Sequence, residues 1–360
     1  MSKLRLLIVE DNQRDIRSFR NSVNRYIHEK KRRIESVECQ NLDEALKMLD
    51  NSFDGAIIDL KLTHQGDEGN QVIAKMIESF YRIPVAIFTG NRGSLDENLN
   101  EEIMLIDVFT KGATGYDEIL DKLWDIYNTG LTRIMGGREL IEQTLNEVSR
   151  KNLFPQIETW ISYGAEDPER TEKALLRYTL NHLFQLLEED GERCFPEEFY
   201  LYPPMSEEIT TGSIVKEETS DKSFVTLSPA CDLVIRRNGE FKTDRILLVE
   251  IESEDNVVNA AIDGITRTRS KKNKLRDISN NNHTDYYHWL PEAYSFDGGF
   301  LNFRKLRTLD KTEFNEKFEK PLIQISPFFV KDIVSRFSSF YARQGQPDID
   351  SEDFINRYTT

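Results

Sequence analysis

Cysteine is scarce: 3 thiols in 360 residues, at Cys39, Cys194 and Cys231. They are too few and too far apart for a disulfide framework or a cysteine-based zinc site, so reduced thiols are expected. Long apolar runs are missing too. No stretch of about 18 apolar residues occurs, which argues against a membrane span, and Met1-Ser-Lys-Leu4 enters an apolar stretch directly, without the pattern of a signal peptide. A cytoplasmic chain with no membrane partner is expected. Basic residues are outnumbered, 47 Lys and Arg against 63 Asp and Glu, for a formal net charge of −16. That balance opposes non-specific attraction to polyanions, so nucleic acid is not an expected partner. Internal repeats and low-complexity tracts are also absent. What remains, 360 residues at 38% hydrophobic content, is enough for two or three domains with sizeable cores.

The first third of the chain has a regular pattern. Apolar runs at about 4–9, 34–37, 55–58, 84–88 and 105–109 alternate with helical stretches at about 12–30, 42–50, 68–81, 94–102 and 115–128. This β-then-α order predicts a parallel sheet, and strands so uniformly apolar suit a sheet covered on both faces. Asn41 or Asp43 is placed to cap the second helix, and Ser94 to start the fourth. Ile119, Leu120, Leu123 and Ile126 form the core stripe of the fifth.

Polar residues follow these runs at recurrent positions. Glu10 and Asp11 follow the first, Asp59 the third, Thr89 the fourth and Lys111 the fifth. In an open parallel sheet the carboxyl ends of the strands share one crevice, so these residues are expected to meet there. Three carboxylates suit a small hard cation that prefers oxygen ligands, which describes Mg²⁺. Asp59 is then placed to accept a phosphoryl group as a carboxylate nucleophile, with Lys111 neutralising developing charge and the Thr89 hydroxyl donating to a phosphoryl oxygen.

With all five positions present in order, residues 1 to about 128 resemble the CheY-like receiver domain of two-component response regulators. The resemblance implies a flavodoxin-like, doubly wound, five-stranded parallel fold. It implies a Mg²⁺ site at Glu10, Asp11 and Asp59, completed by the Lys61 backbone carbonyl. It also implies phosphotransfer to Asp59 from a histidine kinase or phosphotransfer protein. Three departures stand out. Val108 occupies the position three before the lysine where the family usually carries a switching aromatic, with Phe109 expected on the opposite face of the strand. The loop from Leu60 to Gly69 is about two residues longer than the family norm and lacks its common proline. Gly112 stands after Lys111 where proline is typical. None of these removes a catalytic group.

The expected division is a receiver at 1–129, a helical connector at 130–192 and an α+β domain at 193–360. In the connector, Leu140, Ile141, Leu145 and Val148 recur at helical spacing, and Asp167-Pro168 opens a helix running to about Glu189. That helix is apolar over most of its circumference, from Leu175 to Leu187, so it is expected to pack between other elements or to supply a homodimer contact. From about 199, runs at 199–202, 212–216, 223–227 and 245–251, with a turn at Arg237-Asn-Gly239, predict a small antiparallel sheet or barrel. Helix is expected at about 256–276 and again after Ser326-Pro327, with a core-facing aromatic stripe.

No established output module is recognisable in this region. The basic stretch from Arg267 to Arg276 reads most simply as a solvated face. Cys231, with His283 or His288, has the residue types of a Cys-His nucleophile pair, although a buried structural cysteine is the simpler account. Asp232 with Glu250-Ile-Glu252 has the acidic types of a metal nuclease core, but Glu252 stands where such cores carry lysine. The resulting expectation is a response regulator whose carboxy-terminal module regulates or contacts an effector protein rather than reading DNA. It would act as a phosphate sink or as a regulator in a two-component system, including one defending against phage, and would catalyse only its own phosphorylation and dephosphorylation. The alternative is a phosphorylation-controlled enzyme, either a metal nuclease using Asp232 and Glu250 or a Cys231 hydrolase.

Overall fold

The computed structural model describes residues 3–62, 66, 68–79, 81–100, 103–135, 140–189, 193–236, 241–343 and 350–359. The turn at 237–239 and residues 63–65 and 67 of the loop after Asp59 lie outside the described residues. The chain forms two compact units, Met1–Gly191 and Glu192–Thr360.

The first unit is built on five parallel strands, β1 (Leu4–Val9), β2 (Ile34–Cys39), β3 (Gly55–Ile58), β4 (Val85–Thr89) and β5 (Leu105–Thr110). Their order is β2-β1-β3-β4-β5, the flavodoxin-like doubly wound arrangement. The helices that separate them are α1 (Gln13–Glu29), α2 (Leu42–Met48), α3 (Glu68–Glu78), α4 (Glu97–Asn100) and α5 (Tyr116–Thr129). Side chains of alternate parity along the strands feed two apolar cores. One joins Leu6, Ile8 and Ile57 to α1 and α5, and the other joins Leu7, Val9 and Ile58 to α2 and α3. A sheet covered on both faces needs apolar residues at every strand position, which explains the unbroken runs.

Local signals set the boundaries. Asn12 and Asn41 accept backbone N–H groups at the starts of α1 and α2, and Gly130 ends α5 at φ 86°. The fourth helix differs from expectation: Arg92–Ser94 is a 3₁₀ turn capped by Asn91, and α4 begins only at Glu97. Gly69 is required by close packing, because a Cβ there would lie 2.4 Å from the Asp59 carbonyl oxygen and the Leu60 Cα.

Four more α-helices follow among the described residues of this unit: α6 (Leu131–Met135), α7 (Leu140–Val148), α8 (Ile157–Glu166) and α9 (Pro168–Glu189). The Thr132 hydroxyl donates to buried Asp54 at 3.0 Å, tying α6 to the loop that leads into β3. Helices α8 and α9 meet at Asp167 and pack Trp160 edge-on against Tyr178. The expectation that α9 is enclosed is not met. Leu176 is 61% exposed, and Leu180 and Phe184 on the same stripe are also open, as are Ile157 and Ile161 on α8. Within this unit the pair packs one flank only.

The second unit is a seven-stranded antiparallel sheet in the order β10-β11-β9-β8-β7-β12-β6. Its elements run β6 (Tyr200–Leu201), β7 (Ser213–Lys216), β8 (Ser223–Thr226), α10 (Ala230–Leu233), β9 (Ile246–Glu252), α11 (Glu254–Ile262), α12 (Thr268–Ser279), β10 (Tyr287–Leu290), β11 (Gly299–Leu309), α13 (Lys311–Lys317), β12 (Ile323–Ile325), α14 (Pro327–Ala342) and α15 (Glu352–Thr359). The expected helix at 256–276 is two helices, parted where Gly264 takes φ 72°. The aromatic stripe of α14 faces the core as expected: Phe329, Phe337 and Phe340 pack on Val249, Leu301 and Phe303. The opposite sheet face carries Val215, Phe224 and Leu248 under Phe314 and Phe318.

Candidate functional site: an acidic cluster at the strand ends

Backbone pairing holds the strand ends level. The Glu10 N–H donates to the Cys39 carbonyl, Asp59 N–H to Val9 and Lys111 N–H to Thr89, each at 2.9 Å. The residues immediately after β1, β3 and β5 therefore project from one edge, where the strand order reverses between β2-β1 and β3-β4-β5. This is the topological switch point, the usual ligand crevice of an open α/β sheet.

Lys111 sits at the centre. Its Nζ contacts Glu10 Oε2 at 2.5 Å, Asp59 Oδ2 at 2.7 Å and Asp15 Oδ2 at 2.9 Å. Asp59 Oδ1 accepts the Lys61 backbone N–H at 3.2 Å, and Glu10 Oε1 accepts that of Asn12 at 2.9 Å. Asp59, Glu10 and Thr89 are buried, whereas Asp11 is exposed at the mouth. The Thr89 hydroxyl receives only a long contact from the Asn91 N–H, at 3.4 Å.

Negative charge is in excess. Burial pushes the Glu10 carboxyl up to about 7 against the opposing pull of Lys111, and burial also raises Asp11. Burial works against the Lys111 ammonium, but the hydrogen bonds it donates to Asp59, Glu10 and Asp15 more than offset it and hold the ammonium charged. One carboxylate oxygen each from Glu10, Asp11 and Asp59 falls within 4.8 Å of the others, the only such acidic group among the described residues. A hard divalent cation fits this donor set: three oxygen ligands are in reach and the single lysine leaves the carboxylates under-neutralised.

Glu10, Asp11, Asp59 and Lys111 come together here, and Thr89 ends the neighbouring strand β4 with its carbonyl accepting the Lys111 N–H. Two others were missed. Asp15, in the first turn of α1, completes the ring around Lys111; an acidic residue in the first turn of the helix that follows Glu10-Asp11 was its signal. Tyr116 lies buried against Phe88 and Phe19, and its hydroxyl has no hydrogen-bond partner. Val108 and Phe109 take opposite faces of β5 as expected, Val108 against the α2–α3 core and Phe109 in the α1–α5 core. Gly112 takes φ 87°, a conformation closed to proline.

The second candidate group disperses. Asp232, on α10, pairs with Lys242 at 3.0 Å, and the exposed Cys231 thiol lies 3.6 Å from the Asp232 carboxylate. Glu250 lies four residues into β9, held by Lys222 and Lys305 at 2.9 Å each. Lys305 from β11 also binds Glu252 at 2.7 Å, so the lysine missing from the local sequence arrives from the neighbouring strand and is consumed by two glutamates. His288 lines a cavity with Cys194 rather than Cys231. Among the described residues, no helix is long and apolar enough to cross a membrane.

No protein-family model matches this chain, and no curated protein matches it. Solved structures do. The CheY-like receiver domain of a response regulator from Methylobacillus flagellatus aligns at 17% identity over 34% of this chain and 99% of that one, with a TM-score of 0.28. Its counterpart from Methanospirillum hungatei aligns at 21% over 36% and 100%, with a TM-score of 0.29. The non-phosphorylated HemR receiver domain from Leptospira biflexa gives 23% over 34% and 94%, with a TM-score of 0.27. These alignments span about a third of the chain and bear on nothing beyond it. The N-terminal part of this chain, with its flavodoxin-like strand order, is similar in fold to the CheY-like receiver domains of response regulators.

Proposed function

We propose that the first unit accepts a phosphoryl group on Asp59. The observation that carries this reading is the convergence, from separate strand ends, of Glu10, Asp11 and Lys111 around the buried Asp59 carboxylate. An Asp59 oxygen attacks the phosphorus of a phosphohistidine or small phosphodonor. The bond from phosphorus to the leaving group breaks, the leaving group takes up a proton, and an acyl phosphate forms. Lys111 moves from the free carboxylate to a phosphoryl oxygen, and Thr89 donates its loosely held hydroxyl to another. Mg²⁺, held by Glu10, Asp11, Asp59 and the Lys61 carbonyl, would supply neutralisation of the charge that accumulates on the transferring group.

The partners this implies are a histidine kinase or phosphotransfer protein upstream and an effector downstream. We assign residues 1–129 to the receiver, 130–192 to a helical connector and 193–360 to a regulatory or interaction module. The open apolar stripe on α8 and α9 supports a protein contact there, either an effector or a second copy of the chain. The enzyme alternative gains no support from the positions of Cys231, Asp232 and Glu250, each occupied by ordinary surface pairing. The test is incubation of the full chain with acetyl phosphate and Mg²⁺, read by intact mass and peptide mapping. One phosphoryl group on Asp59 is expected, and none in Asp59→Ala; equal incorporation in that variant would overturn the assignment.

A further inference from the structure

The second unit holds two adjoining cavities, both lined by Cys194 and Ser279. The first, about 440 Å³, is walled by the rings of Phe195, Phe199, Trp289 and Phe329, with Phe199 and Phe329 stacked at 4.2 Å between centroids. Its size falls in the ~300–1,000 Å³ range of small-molecule sites, and its mostly apolar lining with a few convergent polar groups is their usual character. The polar groups are His288 and Asp332. His288 is 2% exposed, and its Nδ1 has no hydrogen-bond partner; the Asp332 carboxylate stands 3.8 Å away. Buried polar atoms are nearly always satisfied, so an orphan in a cavity wall points to a donor supplied from outside the chain. Burial and the nearby Arg336 keep this imidazole uncharged, so it can accept through one nitrogen.

The second cavity, about 500 Å³, shares Cys194 and Ser279 with the first and is lined by Arg193 and Arg276. Neither arginine makes an ion pair among the described residues. Arg276 lies on α12, whose exposed face also carries Arg269 and Lys272. The carbonyl end of α12 places roughly half a negative charge nearby, which two guanidiniums exceed. An aromatic slot with two adjacent acceptors, opening onto a paired-arginine anion site, matches one ligand class.

We propose that these cavities bind a purine mononucleotide, with its base between the aromatic rings and its phosphate at Arg193 and Arg276. Adjacent acceptors on His288 and Asp332 favour a base edge with adjacent N–H donors, which places guanine ahead of adenine and uracil last. A free nucleotide rather than a strand is favoured because a chain of net charge −16 repels a polyanion more than a single phosphate.

Cys194 lies on the wall common to both cavities and is exposed, whereas Cys231 is exposed on α10 and serves as an internal reference. Alkylation of the full chain by iodoacetamide, resolved by peptide mass, is measured with GMP, AMP, UMP, guanosine and inorganic phosphate. GMP is expected to slow Cys194 and leave Cys231 unchanged, at lower concentration than the other four. Arg276→Ala and Asp332→Asn, both at exposed positions, should each weaken the protection by about tenfold or more, as expected for charge-assisted contacts. Four results would overturn the proposal: no protection by GMP at millimolar concentration, equal protection by inorganic phosphate, protection unchanged in both variants, or protection by an RNA oligonucleotide where GMP gives none.

Discussion

The two units handle clustered acidic residues in opposite ways. In the first, four carboxylates gather around one lysine at the strand ends. In the second, Glu250 and Glu252 lie along a strand with Lys222 and Lys305 beside them, and the Tyr287 hydroxyl and Asn302 amide complete the set. The difference follows from topology. A parallel sheet brings the carboxyl ends of all its strands to one edge, whereas an antiparallel sheet sets residues opposite one another along its face and pairs them there. Unneutralised charge is what a phosphoryl acceptor and cation site require, and two glutamates matched by two lysines have none to offer. Glu250 and Glu252 are therefore paired along the strand rather than gathered at a strand end, although the sequence shows them as plainly as the carboxylates of the first unit.

The sharpest way to break this contrast is to remove the two central lysines. Lys111→Met strands three carboxylates, two of them buried, and should destabilise the first unit by about 3 kcal/mol, with partial recovery in Mg²⁺. Lys305→Met leaves Glu250 with Lys222 and Glu252 with the Tyr287 hydroxyl and Asn302 amide, and should cost the second unit no more than about 1 kcal/mol. Urea unfolding followed in single-tryptophan variants, Trp124 for the first unit and Trp289 for the second, separates the two. Equal losses would refute the distinction.

The units should also respond oppositely to pH. Glu10 has its folded-state carboxyl raised from 4.5 to about 7, so the native first unit holds the extra proton in that window. Its stability is fully present below pH 4.5 and falls as pH rises toward 7. His288 is lowered by burial from 6.5 to about 3, so the unfolded second unit binds the extra proton; stability is fully present above pH 6.5 and falls as pH drops toward 3. Each slope is at most about 1.4 kcal/mol per pH unit. The same tryptophan reporters in Mg²⁺-free buffer would show both; parallel trends would mean that one of these groups is not held as the structure places it.

The smallest effect compares two phenols. Tyr287 donates to Glu252 at 2.6 Å, and Tyr287→Phe should cost about 1–2 kcal/mol. The Tyr116 hydroxyl has no partner, so Tyr116→Phe should change stability by less than about 0.5 kcal/mol, or raise it. A larger loss at Tyr116 would indicate an unseen partner beside the acidic cluster.

Legibility in the sequence follows the same divide. Strands β1 and β3 lie on the apolar runs, and β2, β4 and β5 are displaced by at most two residues. Glu10, Asp11, Asp59, Thr89 and Lys111 were readable because each lies at or within two residues of the end of a strand whose order in space the β-α alternation already implied. In the second unit β10, β11 and β12 went unread. Strand β11 pairs with β9 some fifty residues away and changes register between Leu301 and Leu306, which blurs any period-two pattern. Cys231 was read toward His288 because thiol and imidazole are suggestive types, yet Cys194 is the thiol that shares the His288 cavity.

For this protein, then, the sequence by itself determined the layout of the first unit and its five polar strand ends, because right-handed β-α crossovers leave few alternatives for where those ends lie. Only the tertiary structure decided which charges are left unpaired. It supplied Asp15 to Lys111 from a helix and Lys305 to Glu250 and Glu252 from a distant strand, and it enclosed His288 against Asp332. Pairing depends on distances of a few ångströms between residues far apart in the chain, and no local periodicity encodes those distances.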